Sequence, residues 1–349
     1  MFSERLDRYR ELEAVRASRL VVYVTGDRRG LETQVHPEVL DYFVDHLDAL
    51  NGGEKVKKIS LLLYTRGGHT MAAWSIVHLL RQFCEELEVI VPAKALSAGT
   101  LICLGANKIV MTKQATLGPI DPSVNSPLNP PIPGATADAR YPVSVEAING
   151  YLELAKEMGI HDGHDNVAVL HTLAQHVHPL VLGHVYRTRS QIRMVGERLL
   201  AAHMRGEDAG EKKKAILEFL CSESGSHDYT IYRREARDQL GLTIETPSEP
   251  LYKLIWALYR DIAEQLELTR PLDPLVLLSR ADDGVAPYKF VRGLLESIER
   301  GSDEYVSEGT FSRVQVNMPI GQAPFMLPGP AQEAVQDQRS FDGWRHAAQ

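Results

Sequence analysis

The sequence predicts an α/β protein whose central sheet is mostly parallel. Short aliphatic and β-branched runs, at residues 20–25, 59–64 and 89–92, alternate with segments whose apolar residues recur at helical spacing. Such alternation is typical of parallel sheets joined by right-handed crossovers. The second and third runs lead into a Gly-Gly pair and a Ser-Ala-Gly triplet, each of which opens the next helix.

The first part of the chain is predicted to alternate regularly between strand and helix. The predicted elements are a helix at 3–17, a strand at 20–25, a helix at 36–50, a strand at 59–64, a helix at 70–84, a strand at 89–92, a helix from 98 to about 104 and a strand at 108–111. Residues 123–142, rich in Pro, Asn and Ala, predict a long loop.

The rest of the chain is predicted to be mostly helical. The predicted elements are helices at 145–158, 167–204, 211–220, 250–268 and 287–300, and a strand at 312–316. Pro179 predicts a break in the second of these helices, and Pro287 suits the first position of the last one. From Met318 onward Gln, Pro and Ala dominate, which predicts a flexible tail.

These patterns divide the chain into five segments. They are an N-terminal helix (1–17), a core (18–142), a helical segment (143–225), the remainder of the core with C-terminal helices (226–317) and a flexible tail (318–349).

Composition narrows the class of protein. The chain has 349 residues, is 44% hydrophobic and 24% charged, and carries a net charge of -8, which argues against nucleic acid as the main partner. Its three cysteines form no CxxC pair, which predicts buried thiols in a reducing compartment. The N-terminus lacks an apolar leader, and no apolar run reaches about 18 residues. We therefore predict a cytoplasmic protein with no membrane span, no metal site and no cofactor.

Ser97 is the first candidate for chemistry. A serine at a helix start is often only a cap. Here a strand and a bend precede Ser97, which places its hydroxyl at the carboxyl edge of the sheet, where α/β sites lie. The N–H of Ala98 would then be free to bind an oxyanion.

The Gly67-Gly68 pair is the second candidate. It could be an ordinary tight turn. Because glycine has no Cβ, a glycine N–H can also approach a substrate carbonyl from the side opposite Ala98. A hydroxyl between two such donors is what acyl transfer requires.

These residues carry a resemblance to a known family. TRGG, SAGT and LGPIDP, in this order and spacing, resemble the Clp protease and crotonase superfamily. Within it, the chain is similar to the serine dehydrogenase proteinase family, related to Clp proteolytic subunits and signal peptide peptidase A; YVTGDRRGLETQV and HVHPLVLG are also similar. The resemblance implies a spiral of ββα units, ring-like homo-oligomers, Ser97 as nucleophile, and Gly68 and Ala98 as the oxyanion hole.

The base of such a site is where this sequence departs from the pattern. Asp121 stands where Clp-type relatives carry a histidine, and His227-Asp228 matches the position of their aspartate. On chemical grounds histidine suits a serine best, so we predict His227 as the base, oriented by Asp121 or Asp228.

Several alternative bases stay open. His176 and His178 are rivals, although two histidines so spaced on a helix face different ways. Lys94 is a further candidate, although a lysine there would more often pair with a carboxylate, for which Asp121 is available. His69 follows the glycine pair and could line the cleft or cap a helix.

The sequence thus predicts a cytoplasmic serine peptidase that acts on peptides or proteins as a homo-oligomer. Two alternatives are an inactive oligomeric scaffold or binding module, and a crotonase-like acyl-thioester enzyme. No GxxxxGK[ST] loop is present, so any ATP-driven unfoldase would be a separate chain.

Overall fold

A computed structural model describes residues 2–120, 123–134, 138–161, 163–223, 228–281, 283–320 and 327–347. Its main sheet has eight strands. In spatial order they are β10 (Ile244–Glu245), β5 (Lys108–Met111), β3 (Cys84–Val91), β2 (Val56–Tyr64), β1 (Arg19–Thr25), β11 (Val285–Ser297), β12 (Gly301–Ile320) and β13 (Leu327–His346). The first five are parallel and the last three are joined antiparallel. The predicted α/β class with a mostly parallel sheet is confirmed.

The parallel strands are apolar on both faces because helices cover both. Leu61 and Leu63 of β2 face one core, and Leu62 and Tyr64 face the other. The first core includes residues of α2 (Leu40–Asn51), α3 (Thr70–Phe83) and α4 (Ala98–Leu104), and the second includes residues of α1 (Phe2–Arg16) and α10 (Glu249–Gln265). Continuous aliphatic runs are what two-sided burial requires of a parallel strand.

Two small sheets and the remaining helices complete the described structure. The small sheets are β4 (Lys94–Ala95) with β6 (Thr116–Leu117) and β9 (Ile231–Tyr232), and β7 (Ser123–Val124) with β8 (Val143–Ser144). The helices are α5 (Val145–Glu157), α6 (Gly163–His176), α7 (Pro179–Ala201), α8 (Ala209–Glu218), α9 (Arg233–Asp238) and α11 (Pro274–Leu278). Pro179 begins α7, so the predicted break is confirmed. Across the described ranges, no helix is both long and apolar enough to cross a bilayer.

The predicted helix at 287–300 is wrong, because residues 285–297 form β11. From Val285 to Lys289 exposed and buried residues alternate, which is the period of a strand. Pro287 lies where β11 extends past β1, whose pairing covers only residues 293–296. One edge of β11 is open there, so a missing N–H costs little.

The predicted flexible tail is also corrected, since residues 327–346 form β13 along β12. Gln, Pro and Ala are weak strand formers, and long-range contacts override them. The ring of Trp344 packs edge-on against Tyr305 at 5.7 Å, and its carbonyl accepts a hydrogen bond from Tyr42 at 2.9 Å. His346 lies 3.0 Å from the carboxylate of the buried Asp303. The five-segment division of the chain stays a proposal.

A buried carboxylate ties the N-terminal helix to the parallel strands. Glu88 of β3 is fully buried, and its carboxylate contacts the guanidinium of Arg16, the ammonium of Lys58 at 3.0 Å and the hydroxyl of Ser60 at 2.8 Å. Burial opposes ionisation, but these three partners outweigh it and hold the pKa of Glu88 below its usual value.

We expect Glu88→Gln to flatten the acid limb of the stability curve. A lowered folded-state pKa contributes stability that is full above the unfolded value of 4.5 and is lost as pH falls through the folded value. Each unit of lowering corresponds to about 1.4 kcal/mol. Urea unfolding between about pH 6 and pH 3 should therefore show wild type losing more free energy of unfolding than Glu88→Gln. Parallel curves for the two proteins would contradict this account.

Candidate active site

The carboxyl ends of β2 and β3 meet in a short backbone ladder. The N–H of Thr65 donates to the carbonyl of Lys94, and the N–H of Leu96 donates to the carbonyl of Thr65, both at 3.1 Å. The residues that follow each strand are therefore held side by side. This ladder brings the glycine pair next to Ser97.

Ser97 lies at a sharp turn between β4 and α4. Its backbone has φ +51° and ψ −110°, a left-handed conformation that is rare for a residue with a side chain. Ser97 precedes α4, but its side chain makes no capping hydrogen bond, and the residue is half-buried. The interpretation of Ser97 as a simple cap is therefore wrong. Strain of this kind is found at functional sites.

The backbone of the glycine pair is held from one side by Val35. The N–H of Val35 donates to the carbonyl of Gly67, and the N–H of His69 donates to the carbonyl of Val35, both at 2.8 Å. In this parallel bridge, the N–H and carbonyl of the middle residue, Gly68, point away from Val35. The N–H of Gly67 is already used, because it donates to Thr65 Oγ1 at 3.0 Å.

Two backbone donors are left beside the serine. Ala98 is the first residue of α4, so its N–H has no acceptor within the helix. Neither this N–H nor that of Gly68 donates to another backbone group among the described residues. Gly67 lies against the turn that carries Ser97: a Cβ on it would come 2.8 Å from Ser97 Cβ and 3.3 Å from the N atom of Ala98.

Buried threonines fix both sides of this turn, and the sequence reasoning missed them. The Thr65 methyl packs against Gly99, where an added Cβ would come within 2.5 Å of it. The hydroxyl of Thr100 donates to the carbonyl of Gly118 at 2.8 Å and accepts from the N–H of Gly118 at 3.1 Å. The sequence offers one sign of this role: a threonine begins TRGG and a threonine ends SAGT.

The predicted base and its partner, His227 and Asp121, lie outside the described residues. Their described neighbours in the sequence, Asp228 and Ile120, show where these segments lie in the fold. Because β9 runs antiparallel to β6, the residues that lead into β9 lie beside those that leave β6. Asp228, which leads into β9, is exposed. Ile120, which follows β6, donates its N–H to the carbonyl of Leu220 at 2.9 Å.

The rival histidines are exposed. His176 ends α6 and His178 precedes α7, so the prediction of both on one helix is wrong. The ring of His178 accepts a hydrogen bond from the N–H of Leu180 at 3.2 Å and so caps α7. His69 precedes α3, makes no capping bond, and meets the ring of His36 edge-on at 4.8 Å.

Lys94 is paired with a carboxylate, as expected of a lysine at this position. Its ammonium contacts the carboxylate of Asp27 and lies 5.4 Å from the centre of the Tyr64 ring. The hydroxyl of Tyr64 donates to Asp27 at 2.8 Å. Burial, with the charge of Asp27, raises the pKa of Tyr64, so the phenol stays protonated. Asp27 is therefore the carboxylate paired with Lys94 among the described residues, and Asp121, the predicted partner, lies outside them.

The three cysteines are buried thiols, as predicted, and none of them forms a disulfide. Burial raises the pKa of Cys84 to about 11 and that of Cys103, within α4, still higher. Both thiols stay protonated, so neither is a nucleophile at neutral pH. In the described ranges, no cluster of three His, Cys, Asp or Glu side chains is arranged to hold a metal ion.

The fold and the motif-bearing turns define an α/β protein with a mostly parallel sheet. Residues 3–136 match the family model described as "ClpP-like SDH-type serine proteinase", the family that the motifs resemble. The enzymes of this family are serine proteinases, a class of hydrolases.

Two relatives are uncharacterized proteins of Methanocaldococcus jannaschii. One is 31% identical over 220 residues, which are 63% of this chain and 64% of the relative. The other is 39% identical over 66 residues, which are 19% of this chain and 23% of the relative. The chain thus spans less than two thirds of the length of either relative.

Two solved structures of a membrane-bound stomatin-specific protease are also similar. One, a mutant in complex with a substrate peptide, is 18% identical, with 67% of this chain and 78% of that chain covered and a TM-score of 0.35. The other, a second mutant, is 17% identical, with 68% and 85% covered and a TM-score of 0.38.

Proposed function

We propose that this protein is a serine peptidase that cleaves peptide bonds through an acyl-enzyme on Ser97. One observation carries the proposal: an uncapped serine at a strained strand-to-helix turn lies beside two backbone N–H groups, and no backbone carbonyl of the described residues accepts from either. A hydroxyl flanked by preorganised donors is the arrangement that acyl transfer requires.

The proposed reaction has two halves. Ser97 Oγ attacks the carbonyl carbon of the scissile bond while a base takes its proton, and the oxyanion is bound by the N–H groups of Gly68 and Ala98. The tetrahedral intermediate collapses, the amine leaves with the proton, and water then releases the acyl group by the same steps. We propose His227 as the base, oriented by Asp121 or Asp228.

An extended peptide is the substrate that the glycine pair would bind. The carbonyl of Gly68 points to the same side as the open edge of this segment, away from Val35. A substrate strand could donate an N–H to it, as in other strand-addition complexes. Peptide backbone, rather than one particular side chain, would then supply much of the binding.

We also propose a cytoplasmic location and a homo-oligomer. Three buried thiols that form no disulfide are consistent with a reducing compartment. Large apolar side chains are exposed on the helical segment, among them Met158 at 73%, Tyr186 at 71% and Leu180 at 68%. Such a surface suits a subunit contact.

Light scattering at micromolar concentration should give a mass above that of the monomer; a monomer would argue against the contact.

Fluorophosphonate labelling followed by intact-mass spectrometry tests the nucleophile. We expect one adduct on wild type and none on Ser97→Ala, because only an activated serine reacts. Ser190→Ala, which alters an exposed serine of α7, is the matched control and should label like wild type. A wild type that takes no adduct would favour the scaffold or the acyl-thioester enzyme instead. Slower labelling of His227→Ala would support that residue as the base, and unchanged labelling would exclude it.

A further inference from the structure

Thr65 contacts both backbone segments that flank the proposed nucleophile, the glycine pair and the turn that carries Ser97. It is fully buried at the end of β2. Its backbone N–H and carbonyl bond to Lys94 and Leu96, the residues that lead into Ser97. Its methyl group fills the space against Gly99 of α4. Its hydroxyl accepts the N–H of Gly67 at 3.0 Å.

The hydroxyl contact has a geometric consequence. Gly67 has φ +114° and Gly68 has φ +147°, conformations that glycine adopts freely and that local preference does not fix. The backbone is therefore held by its hydrogen bonds. Val35 fixes the carbonyl of Gly67 and the N–H of His69 from one side, and Thr65 fixes the N–H of Gly67 from within. Together they set the direction in which the N–H of Gly68 points.

We propose that Thr65 is a positioning residue, which aims the N–H of Gly68 at the oxyanion and keeps it in register with Ser97. This inference rests on the proposed peptidase function. Thr65 touches no reacting atom; it acts through Gly67, whose N–H its hydroxyl accepts. The charge that develops on the oxyanion in the transition state is stabilised by a donor only if that donor is already aimed.

The neighbouring strand offers a matched control. Thr25, at the end of β1, is also buried, and its hydroxyl hydrogen bonds to that of Thr65 at 2.6 Å. Thr65→Val and Thr25→Val therefore each remove one hydroxyl from the same buried pair. Only Thr65→Val removes the acceptor of the Gly67 N–H. Thr65→Ser keeps that acceptor and removes only the methyl group.

The experiment measures fluorophosphonate labelling of Ser97 and amide hydrogen exchange of residues 64–70 in the full chain. For Thr65→Val we expect the maximal labelling rate to fall at least about tenfold at unchanged half-saturating probe concentration, and the exchange of 64–70 to accelerate. Thr25→Val and Thr65→Ser should stay within about threefold of wild type in rate. Equal slowing in Thr65→Val and Thr25→Val would overturn the proposal, since it would then reflect only a lost buried bond.

The exchange measurement separates this proposal from the peptidase function. If wild type takes no adduct, the proposed peptidase function fails. The amide exchange of residues 64–70 then tests by itself whether Thr65 positions the glycine pair. Faster exchange in Thr65→Val than in Thr25→Val would still support the positioning of Gly67 and Gly68 by Thr65. Equal exchange in the two variants would overturn it.

Discussion

Gly67→Ala is expected to slow fluorophosphonate labelling of Ser97, and hydrolysis of any peptide substrate, by about 100-fold or more. An added Cβ would come 2.8 Å from Ser97 Cβ and 2.9 Å from the carbonyl oxygen of Leu96, closer than such atoms pack. One of the two backbone segments must therefore move. Either movement separates the hydroxyl from the donors, and a displacement of about 1 Å can cost two orders of magnitude in rate.

The same substitution also strains the backbone, and Gly206→Ala controls for this. Gly206 has φ +118°, close to the φ +114° of Gly67, and nothing lies within 4 Å of the position of its Cβ. Both variants should lose stability, because alanine resists a positive φ. Only Gly67→Ala should lose labelling when rates are compared at a temperature where both are folded. Similar labelling of the two variants would show that Gly67 does not shape the site.

Arg5→Met is expected to lower the free energy of unfolding by about 3–5 kcal/mol. Arg5 and Glu296 are both fully buried, and their guanidinium and carboxylate meet at 2.6 Å. Burial opposes the charge, but Glu296 and its neighbours hold the pKa of Arg5 above its ordinary value. Without Arg5, Glu296 would remain as an uncompensated buried charge where α1 meets β11.

Arg8→Met, on the same helix, is the control for this prediction. The Arg8 side chain is 44% exposed, and its guanidinium lies 3.5 Å from the carboxylate of Asp261, a longer contact than that of Arg5 with Glu296. A solvent-exposed pair of this kind contributes less than about 1 kcal/mol. Urea unfolding of the two variants at neutral pH should separate them clearly. A similar small loss in both would mean that the buried pair does not stabilise the attachment of α1.

The sequence was most informative about the elements that carry the site. The runs at 59–64 and 89–92 are buried on both faces, so nothing in them conflicts with strand formation. The helix from Ala98 to Leu104 was predicted with the bounds that the structure has. Its start is determined locally, because Ser-Ala-Gly directly after a strand permits a turn that larger residues would block.

The C-terminal elements could not be predicted from local pattern. Proline at 287 fits both a helix start and a strand with one open edge, and only the pairing with β12 decides between them. The strand from Leu327 to His346 likewise depends on partners that are distant in the sequence, such as Tyr305 and Tyr42 for Trp344. Composition alone cannot register contacts of this kind.

Within the site, the residues proposed to take part in the chemistry were easier to predict than the residues that hold them in position. A serine and two glycines are visible in the sequence, whereas the role of Thr65 depends on contacts with residues on three other elements. The pairing of Lys94 with Asp27 was missed for the same reason. Asp27 follows β1, and only the order of strands in the sheet brings it to Lys94.

The left-handed backbone at Ser97 offers a way to sort relatives of this chain without an assay. At φ +51° a glycine would fold more readily than a serine. A descendant that kept only the architecture would gain stability by exchanging serine for glycine there. Serine at this turn therefore costs stability, and a relative with glycine there would be more stable but would lack the proposed nucleophile.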